Sequence, residues 1–399
     1  MKKCIEGSEA VASAVANCQP DVVASYPITP QTHIVEYLAW LKNSHRADFE
    51  FIQADSEFAA ASIVQGAAAA GGRTYTATSA QGLLLMMEVV YATAGLRLPV
   101  VMTLANRAVS APINIWNDQQ DAMAMRDAGW MMLFAEDNQA AVDLHIIAYR
   151  MAEELRVPAV VNMDGFILTH TVEPVDVPSK NQIRQFLPRY KAAKNTILDV
   201  NHPVTLGAFV TPEHYQEFRQ ELQQDLLAAE GLFIKENKKF KQVFGREYKS
   251  VEYYGAKKPE AVIISFGSVV GTIKDTVDEL NSTLREPSAF TSVSADKHGD
   301  KRERINQGDK QGDRGVGVVN VVMFRPFPKK EIGEVLNGCE KIAIIEKDIA
   351  FGSTGGLDLE VKAALYGKSS AEIKSYSMGL GGRDITKEEI RVIFEKMLK

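Results

Sequence analysis

Along the first 175 residues, strand-sized apolar runs alternate with stretches whose apolar positions recur at helical spacing. The pattern predicts strands at 21–25, 51–54, 74–78, 99–104, 131–134 and 159–162, and helices at 8–17, 31–41, 57–70, 83–94, 119–129 and 138–154. Ser8 and Ser56 stand where N-caps are expected. Tyr26-Pro27-Ile28-Thr29-Pro30 breaks the series, because two prolines three residues apart fit neither a helix interior nor a central strand. Ser79-Ala80-Gln81-Gly82 reads as a turn. Strand and helix alternating at this rhythm predict a parallel sheet covered by helices on both faces.

After Pro178 the pattern changes. Residues 180–254 are charged, helical over 212–229, and read as a linker wrapping the domains. From Pro259 the alternation returns, with strands at 261–266, 316–324, 341–346 and 373–377. Helices fall at 272–280, 329–336, 357–365 and 386–399, the last opened by Thr386 and Glu389 at capping-box spacing. Residues 281–315 lack apolar periodicity, carry Asp300-Lys301-Arg302-Glu303-Arg304, and read as a solvated, mobile insertion. The expected fold class is α/β with two parallel-sheet domains, 1–178 and 259–399, joined by a linker at 179–258.

Composition narrows the function. Of 399 residues, 46% are apolar and 24% charged, the mix of a soluble globular chain. A balance of 45 basic against 51 acidic residues, −6 net, argues against nucleic acid as partner. No apolar run has membrane-spanning length, and no secretory leader follows Met1. Cys4, Cys18 and Cys339 form neither a disulfide framework nor a CxxC metal site, which points to a reducing cytoplasm.

Walker, GxGxxG, GxSxG and HExxH motifs are lacking. The seven histidines show no ligand spacing, so no metal site is expected on this chain, and His170 reads as a packed residue. The candidate chemistry lies in four loops expected at the carboxyl ends of strands, where α/β folds bind ligands. These are Tyr26–Pro30, Asp55-Ser56-Glu57, Ser79–Gly82, and Ala105-Asn106-Arg107-Ala108 with Ser110-Ala111-Pro112. Each has a plain alternative: a rigid turn, a first-turn acid on a helix dipole, a surface ion pair.

Taken together, these loops, with Asn114–Asp118 and Asp164–Val175, resemble the 2-oxoacid:ferredoxin oxidoreductases, most of all the alpha subunits of the multi-subunit pyruvate-oxidising members. The likeness continues through Phe266-Gly267-Ser268, Phe324–Pro328 and Gly379–Asp384, and excludes only 281–315. It implies a thiamine diphosphate pyrimidine-binding-type domain followed by a transketolase C-terminal-like domain. It implies that Glu57 is the carboxylate beside the aminopyrimidine ring, a role suited to a carboxyl at the start of an apolar, Ala-rich helix, where it can share a proton with the ring through a short hydrogen bond. It implies that Thr29 and Arg107 bind the 2-oxoacid, and that Ser79, Gln81, Gly82 and Asn106 neighbour the cofactor. A guanidinium suits a carboxylate, and a loop fixed by prolines loses little entropy on binding.

The resemblance also implies what lies elsewhere. Thiamine diphosphate would be shared with a beta subunit carrying the diphosphate site, Mg2+ and a [4Fe-4S] cluster. Gamma and ferredoxin-like delta subunits would complete an enzyme acting on pyruvate and CoA, with ferredoxin as electron carrier. Arg325, between Phe324 and Pro326, reads as structural. The alternatives are the same chemistry on 2-oxoglutarate, a branched-chain 2-oxoacid or oxalate, a non-catalytic scaffold subunit, or a self-contained transketolase-like enzyme, which would need a diphosphate motif that is missing.

Overall fold

The computed structural model describes residues 2–285 and 314–399. The first part contains β1 (Lys3–Glu6), α1 (Gly7–Asn17), β2 (Val22–Ser25), α2 (Thr32–Asn43), β3 (Glu50–Gln53), α3 (Glu57–Ala69), β4 (Thr74–Thr78), α4 (Ala80–Gly95), β5 (Val101–Asn106), α5 (Gln120–Ala124), β6 (Met131–Phe134), α6 (Asn138–Leu155), β7 (Ala159–Asp164) and β8 (Val172–Val175). There follow α7 (Lys180–Phe186), α8 (Pro212–Phe244), β9 (Val251–Gly255), β10 (Lys258–Ser265), α9 (Val269–Arg285), β11 (Arg314–Val321), β12 (Met323–Arg325), α10 (Lys329–Val335), β13 (Lys341–Glu346), α11 (Gly356–Leu365), β14 (Glu372–Ser377) and α12 (Lys387–Leu398).

The larger sheet has the order β12-β6-β7-β5-β4-β2-β3, parallel throughout except for β12. The smaller has the order β14-β13-β10-β11-β9, parallel except for β9. Both are mixed with helices, as the alternation predicted, and β4 and β5 are buried along their whole lengths. β1 and β8 form a separate antiparallel ribbon.

Several local expectations change. Ser8 does not cap α1. The helix starts at Gly7, and the Ser8 hydroxyl donates instead to the Thr169 carbonyl (2.7 Å) in a buried seam. Residues 79–82 are not a separate turn, because α4 begins at Ala80. The helix expected over 119–129 shrinks to Gln120–Ala124. α8 runs past residue 229 to Phe244, burying Leu222, Leu226, Ala229, Phe233 and Phe240 along one stripe of the main core. Pro212 opens it and Gly245, at φ 75°, closes it. Of 281–315, residues 281–285 complete α9 and 314–315 begin β11; the rest lies outside the described residues.

The strand expected at 316–324 divides between the sheets. β11 pairs within the smaller sheet, while β12 crosses to β6 of the larger one. The Val322 and Met323 amides both donate to the Ser250 carbonyl (3.0 and 3.1 Å) at the crossing. Phe134, Phe266 and Phe324 stack there, with ring centroids 4.3–6.0 Å apart, so one apolar core runs under both sheets.

Candidate functional site

In the larger sheet the chain leaves β2 towards β3 at one edge and returns to β4 on the other side. That reversal opens a crevice at the carboxyl ends of β2 and β4, the position where open α/β sheets bind ligands. The loops converging on it are those singled out by sequence: Tyr26–Pro30 after β2, Glu57 at the head of α3, 79–82 at the head of α4, and Asn106–Arg107 at the end of β5.

Glu57 is the first residue of α3, behind a Ser56 cap whose hydroxyl accepts from the Ala59 amide (3.1 Å). Its side chain is 8% exposed. It packs on Gly82, where an added Cβ would lie 2.8 Å from Glu57 Oε1 and would also strike Thr78. Gly82 is therefore required at this place to make room for the carboxyl. Gln81 beside it has both amide atoms buried with no hydrogen-bond partner, as does Thr78 Oγ1. Such orphaned groups are costly unless something else satisfies them.

Arg107 is also 8% exposed and forms no ion pair among the described residues. Its Nε donates to the Asn114 carbonyl (3.1 Å) and its Nη1 to the Thr29 carbonyl (2.8 Å). Burial lowers its pKa, and the nearby Asp121 carboxylate opposes that. Thr29 itself is exposed at the crevice. Ser79 and Asn106 are committed to the framework. The Ser79 hydroxyl donates to the Ala105 carbonyl (2.7 Å), and Asn106 Nδ2 donates to Asp121 and Asn162 (3.0 and 3.1 Å). Asn106 Oδ1 remains buried and unpartnered.

Sequence reasoning missed the residue that joins these loops. Asp121 is fully buried, and its carboxylate accepts from the amides of Ala80 (3.0 Å), Arg107 (2.9 Å) and Ala122 (2.7 Å) and from Asn106 Nδ2 (3.0 Å). It holds Ala80 at φ 41°, a strained value for a residue with a Cβ, and so fixes how α4 leaves β4. Burial pushes its pKa up to about 7 against these hydrogen bonds. Nothing local in the sequence marks an aspartate 14 residues from one partner and 41 from another.

The second missed group is Lys347, 4% exposed, at the end of β13. Its Nζ donates to Asp164 Oδ2 (2.9 Å), Asn117 Oδ1 (2.8 Å) and Ser268 Oγ (3.3 Å). Burial raises the pKa of Asp164, but the Lys347 charge and hydrogen bonds from Ser268, Lys347 and Gln119 outweigh it and hold the carboxyl below its usual range. The Gly379–Asp384 segment docks beside it, the Gly382 amide donating to the Asn117 carbonyl (2.6 Å). Arg325 is structural: its Nε donates to the Arg126 carbonyl (3.0 Å) and its Nη2 to Glu360 (2.7 Å).

Residues 13–238 match the model of the thiamine diphosphate-binding domain of pyruvate flavodoxin/ferredoxin oxidoreductases. Residues 295–390 match that of pyruvate:ferredoxin oxidoreductase core domain II. Pyruvate synthase subunit PorA of Methanothermobacter thermautotrophicus is 40% identical over 396 residues, 99% of this chain and 94% of its own length. Its counterpart in Thermotoga maritima is 43% identical over 394 residues, 98% and 93% of the two chains. Ketoisovalerate oxidoreductase subunit VorA of Pyrococcus horikoshii is 37% identical over 401 residues, 100% and 94%. Among solved structures, 2-oxoglutarate:ferredoxin oxidoreductase from Magnetococcus marinus, with 2-oxoglutarate, coenzyme A and succinyl-CoA bound, superposes with a TM-score of 0.72. At 18% identity that likeness carries the fold alone; it covers 100% of this chain, which spans 65% of that longer one.

Proposed function

This chain belongs to the pyruvate:ferredoxin oxidoreductase family, and on that premise we propose that it is the alpha-type subunit of a thiamine diphosphate-dependent pyruvate synthase. The assembled enzyme interconverts pyruvate, CoA and oxidised ferredoxin with acetyl-CoA, CO2 and reduced ferredoxin. The observation that carries the reading is the buried Glu57 carboxyl against Gly82, at the crevice where Arg107 has no ionic partner among the described residues.

The residues present fit the cofactor's pyrimidine end: a carboxyl, an amide with both atoms orphaned at Gln81, and an orphaned carbonyl oxygen at Asn106. When bound, thiamine diphosphate supplies a nucleophilic carbon for attack on the keto carbon. Glu57 holds a proton between its carboxyl and the ring nitrogen N1′, which the apolar wall of α3 keeps from water. Gln81 and the Asn106 oxygen orient the aminopyrimidine. Gly82 keeps the space open, and Ser79, through its bond to Ala105, fixes the loop. Arg107, steadied by the Asn114 and Thr29 carbonyls, turns its remaining donors to the substrate carboxylate. The Thr29 hydroxyl hydrogen-bonds the carboxylate or keto oxygen.

Phe58 on α3 and Leu84, Leu85 and Tyr91 on α4 leave large apolar side chains exposed on the two helices that carry Glu57 and Gly82. This supports a covering subunit. We assign that role to a beta subunit bringing the diphosphate site, Mg2+ and an iron–sulfur cluster, with gamma and ferredoxin-like delta subunits and ferredoxin beyond it. Three free cysteines accord with a reducing cytoplasm. No helix among the described residues is long and apolar enough to cross a membrane.

The test is Glu57→Gln in the complete complex. The expected outcome is intact assembly with turnover lowered by about 10²–10⁴-fold, the range of a proton-transfer group. Normal turnover would remove Glu57 from the mechanism and favour a scaffold subunit. The 37% identity to a ketoisovalerate enzyme subunit supports a second reading, a branched-chain 2-oxoacid as substrate. Comparing kcat/KM for pyruvate, 2-oxoisovalerate and 2-oxoglutarate separates the two.

A further inference from the structure

Beside the crevice, but outside the groups just assigned, three side chains with metal-ligating atoms meet. They are Glu6 at the junction of β1 and α1, His33 in the first turn of α2, and His170 between β7 and β8. One ligand atom from each lies within 4.8 Å of the other two. His33 Nδ1 stands 2.7 Å from Glu6 Oε1, and the two imidazole rings lie 4.4 Å apart, centroid to centroid. We propose that Glu6, His33 and His170 form a binding site for a divalent transition-metal ion of the zinc type.

The backbone builds this meeting point rather than leaving it to long surface side chains. β1 pairs with β8 so that Glu6 faces Val172. The Gly7 and Ser8 amides donate to the carbonyls of Thr171 and Thr169 (3.1 and 3.0 Å), which fixes Glu6 against the segment holding His170. The Gln31 amide donates to the Ile28 carbonyl (2.8 Å), and its side-chain Nε2 to the Ala77 carbonyl (2.9 Å), which anchors the start of α2 and hence His33. The His170 ring is stacked on Phe166 (4.8 Å), which stacks in turn on Trp116 (4.5 Å).

The donor set selects the ion. Two imidazoles and one carboxylate suit zinc or its neighbours, whereas Mg2+ and Ca2+ prefer all-oxygen shells. Metal–ligand bonds of about 2.1 Å in a tetrahedral shell need ligand atoms roughly 3.4 Å apart. The ligand atoms already lie within 4.8 Å of one another, and His33, the exposed member, is the side chain with room to adjust. Thr169 Oγ1 sits 2.7 Å from His170 Nδ1. A ring donating its Nδ1–H to that hydroxyl presents Nε2 to the ion, the supporting contact that ligating histidines use. Three protein ligands leave a fourth position for water. The bound ion would tie α1, α2 and the 165–171 segment together immediately behind Thr29-Pro30.

The test uses the assembled enzyme, dialysed against Zn2+ after chelation, with metal counted per alpha chain. His33→Ala and Glu6→Gln are the variants, because both side chains reach solvent. The expected result is one more tightly held Zn2+ in the wild type than in either variant, with affinity weakened at least tenfold by each change and millimolar Mg2+ unable to compete. With Co2+ in place of Zn2+, the wild type should show ligand-field absorption that the variants lack. Equal zinc content and affinity in wild type and His33→Ala, or cobalt spectra that do not differ, would overturn the site.

Discussion

At the scale of single residues the site depends on what each neighbour leaves open. Gly82 has no side chain because Glu57 and Thr78 occupy that volume. Gly82→Ala should therefore displace the carboxyl and lower turnover by about tenfold or more, since a misplaced catalytic group loses rate steeply, and its clash with buried Thr78 should add an overpacking cost of about 1–3 kcal/mol. Steady-state kinetics of the assembled variant check this, and unchanged kcat would mean that Glu57 is not used where it stands. Arg107→Ala should raise KM for the 2-oxoacid strongly, because the neutral Thr29 hydroxyl cannot replace a charged guanidinium as partner of a carboxylate. Arg107→Lys should recover only part of that, because a lysine cannot hold the Asn114 and Thr29 carbonyls and a carboxylate together. A KM that stays put in both variants would take Arg107 out of the carboxylate site. Glu57, Thr29 and Arg107 are legible in the sequence because they sit in motifs a few residues long. Asp121 is not, because its meaning lies entirely in which distant amides it meets.

At the scale of elements, caps and turns decide how the loops are aimed. Ser56→Ala removes the acceptor for the Ala59 amide and should cost about 1 kcal/mol, read by chemical denaturation. Asp121→Asn is more severe. Two N–H groups donate to each carboxylate oxygen, so either amide orientation sets an NH2 against two donors. A loss of about 1–3 kcal/mol per unsatisfied donor is expected, together with a raised KM as Arg107 shifts. The pH dependence carries a sign. A carboxyl raised to about 7 by burial contributes most to stability below its unfolded value near 4, and that contribution disappears as pH rises through about 7. The variant should lose this slope, and unfolding free energies measured from pH 4 to 8 test it. Helix limits were readable where chemistry marks them, as at Ser56, Thr386 and Pro212, whereas the end before Gly245 was placed 15 residues too early, at Ala229. They misled at Ser8, where a serine suited to capping met a buried carbonyl instead.

At the scale of the whole molecule, the two sheets are fastened by β12 and by the Lys347–Asp164 pair. Lys347→Met leaves a buried aspartate without its cation and should destabilise the chain by about 3–5 kcal/mol. Asp164, held below the usual carboxyl range, contributes stability at pH above about 4 that is lost as pH falls through its lower folded value. Breaking the pair should therefore move acid unfolding to higher pH, visible by circular dichroism; an unmoved acid transition would show that the pair does not couple the sheets.

The apolar rhythm alone determined the fold class, because a strand buried on both faces and a helix covering it must alternate to make a parallel sheet. Short ordered motifs determined the family, since loops at strand ends keep their residues close in sequence. What the tertiary structure decided is every meeting across long separations. The run at 316–324 is apolar on both sides of Val322, so no periodicity reveals where the chain leaves one sheet for the other. Likewise, residues 6, 33 and 170 have no common spacing, and only strand pairing and helix packing bring them within reach of one ion.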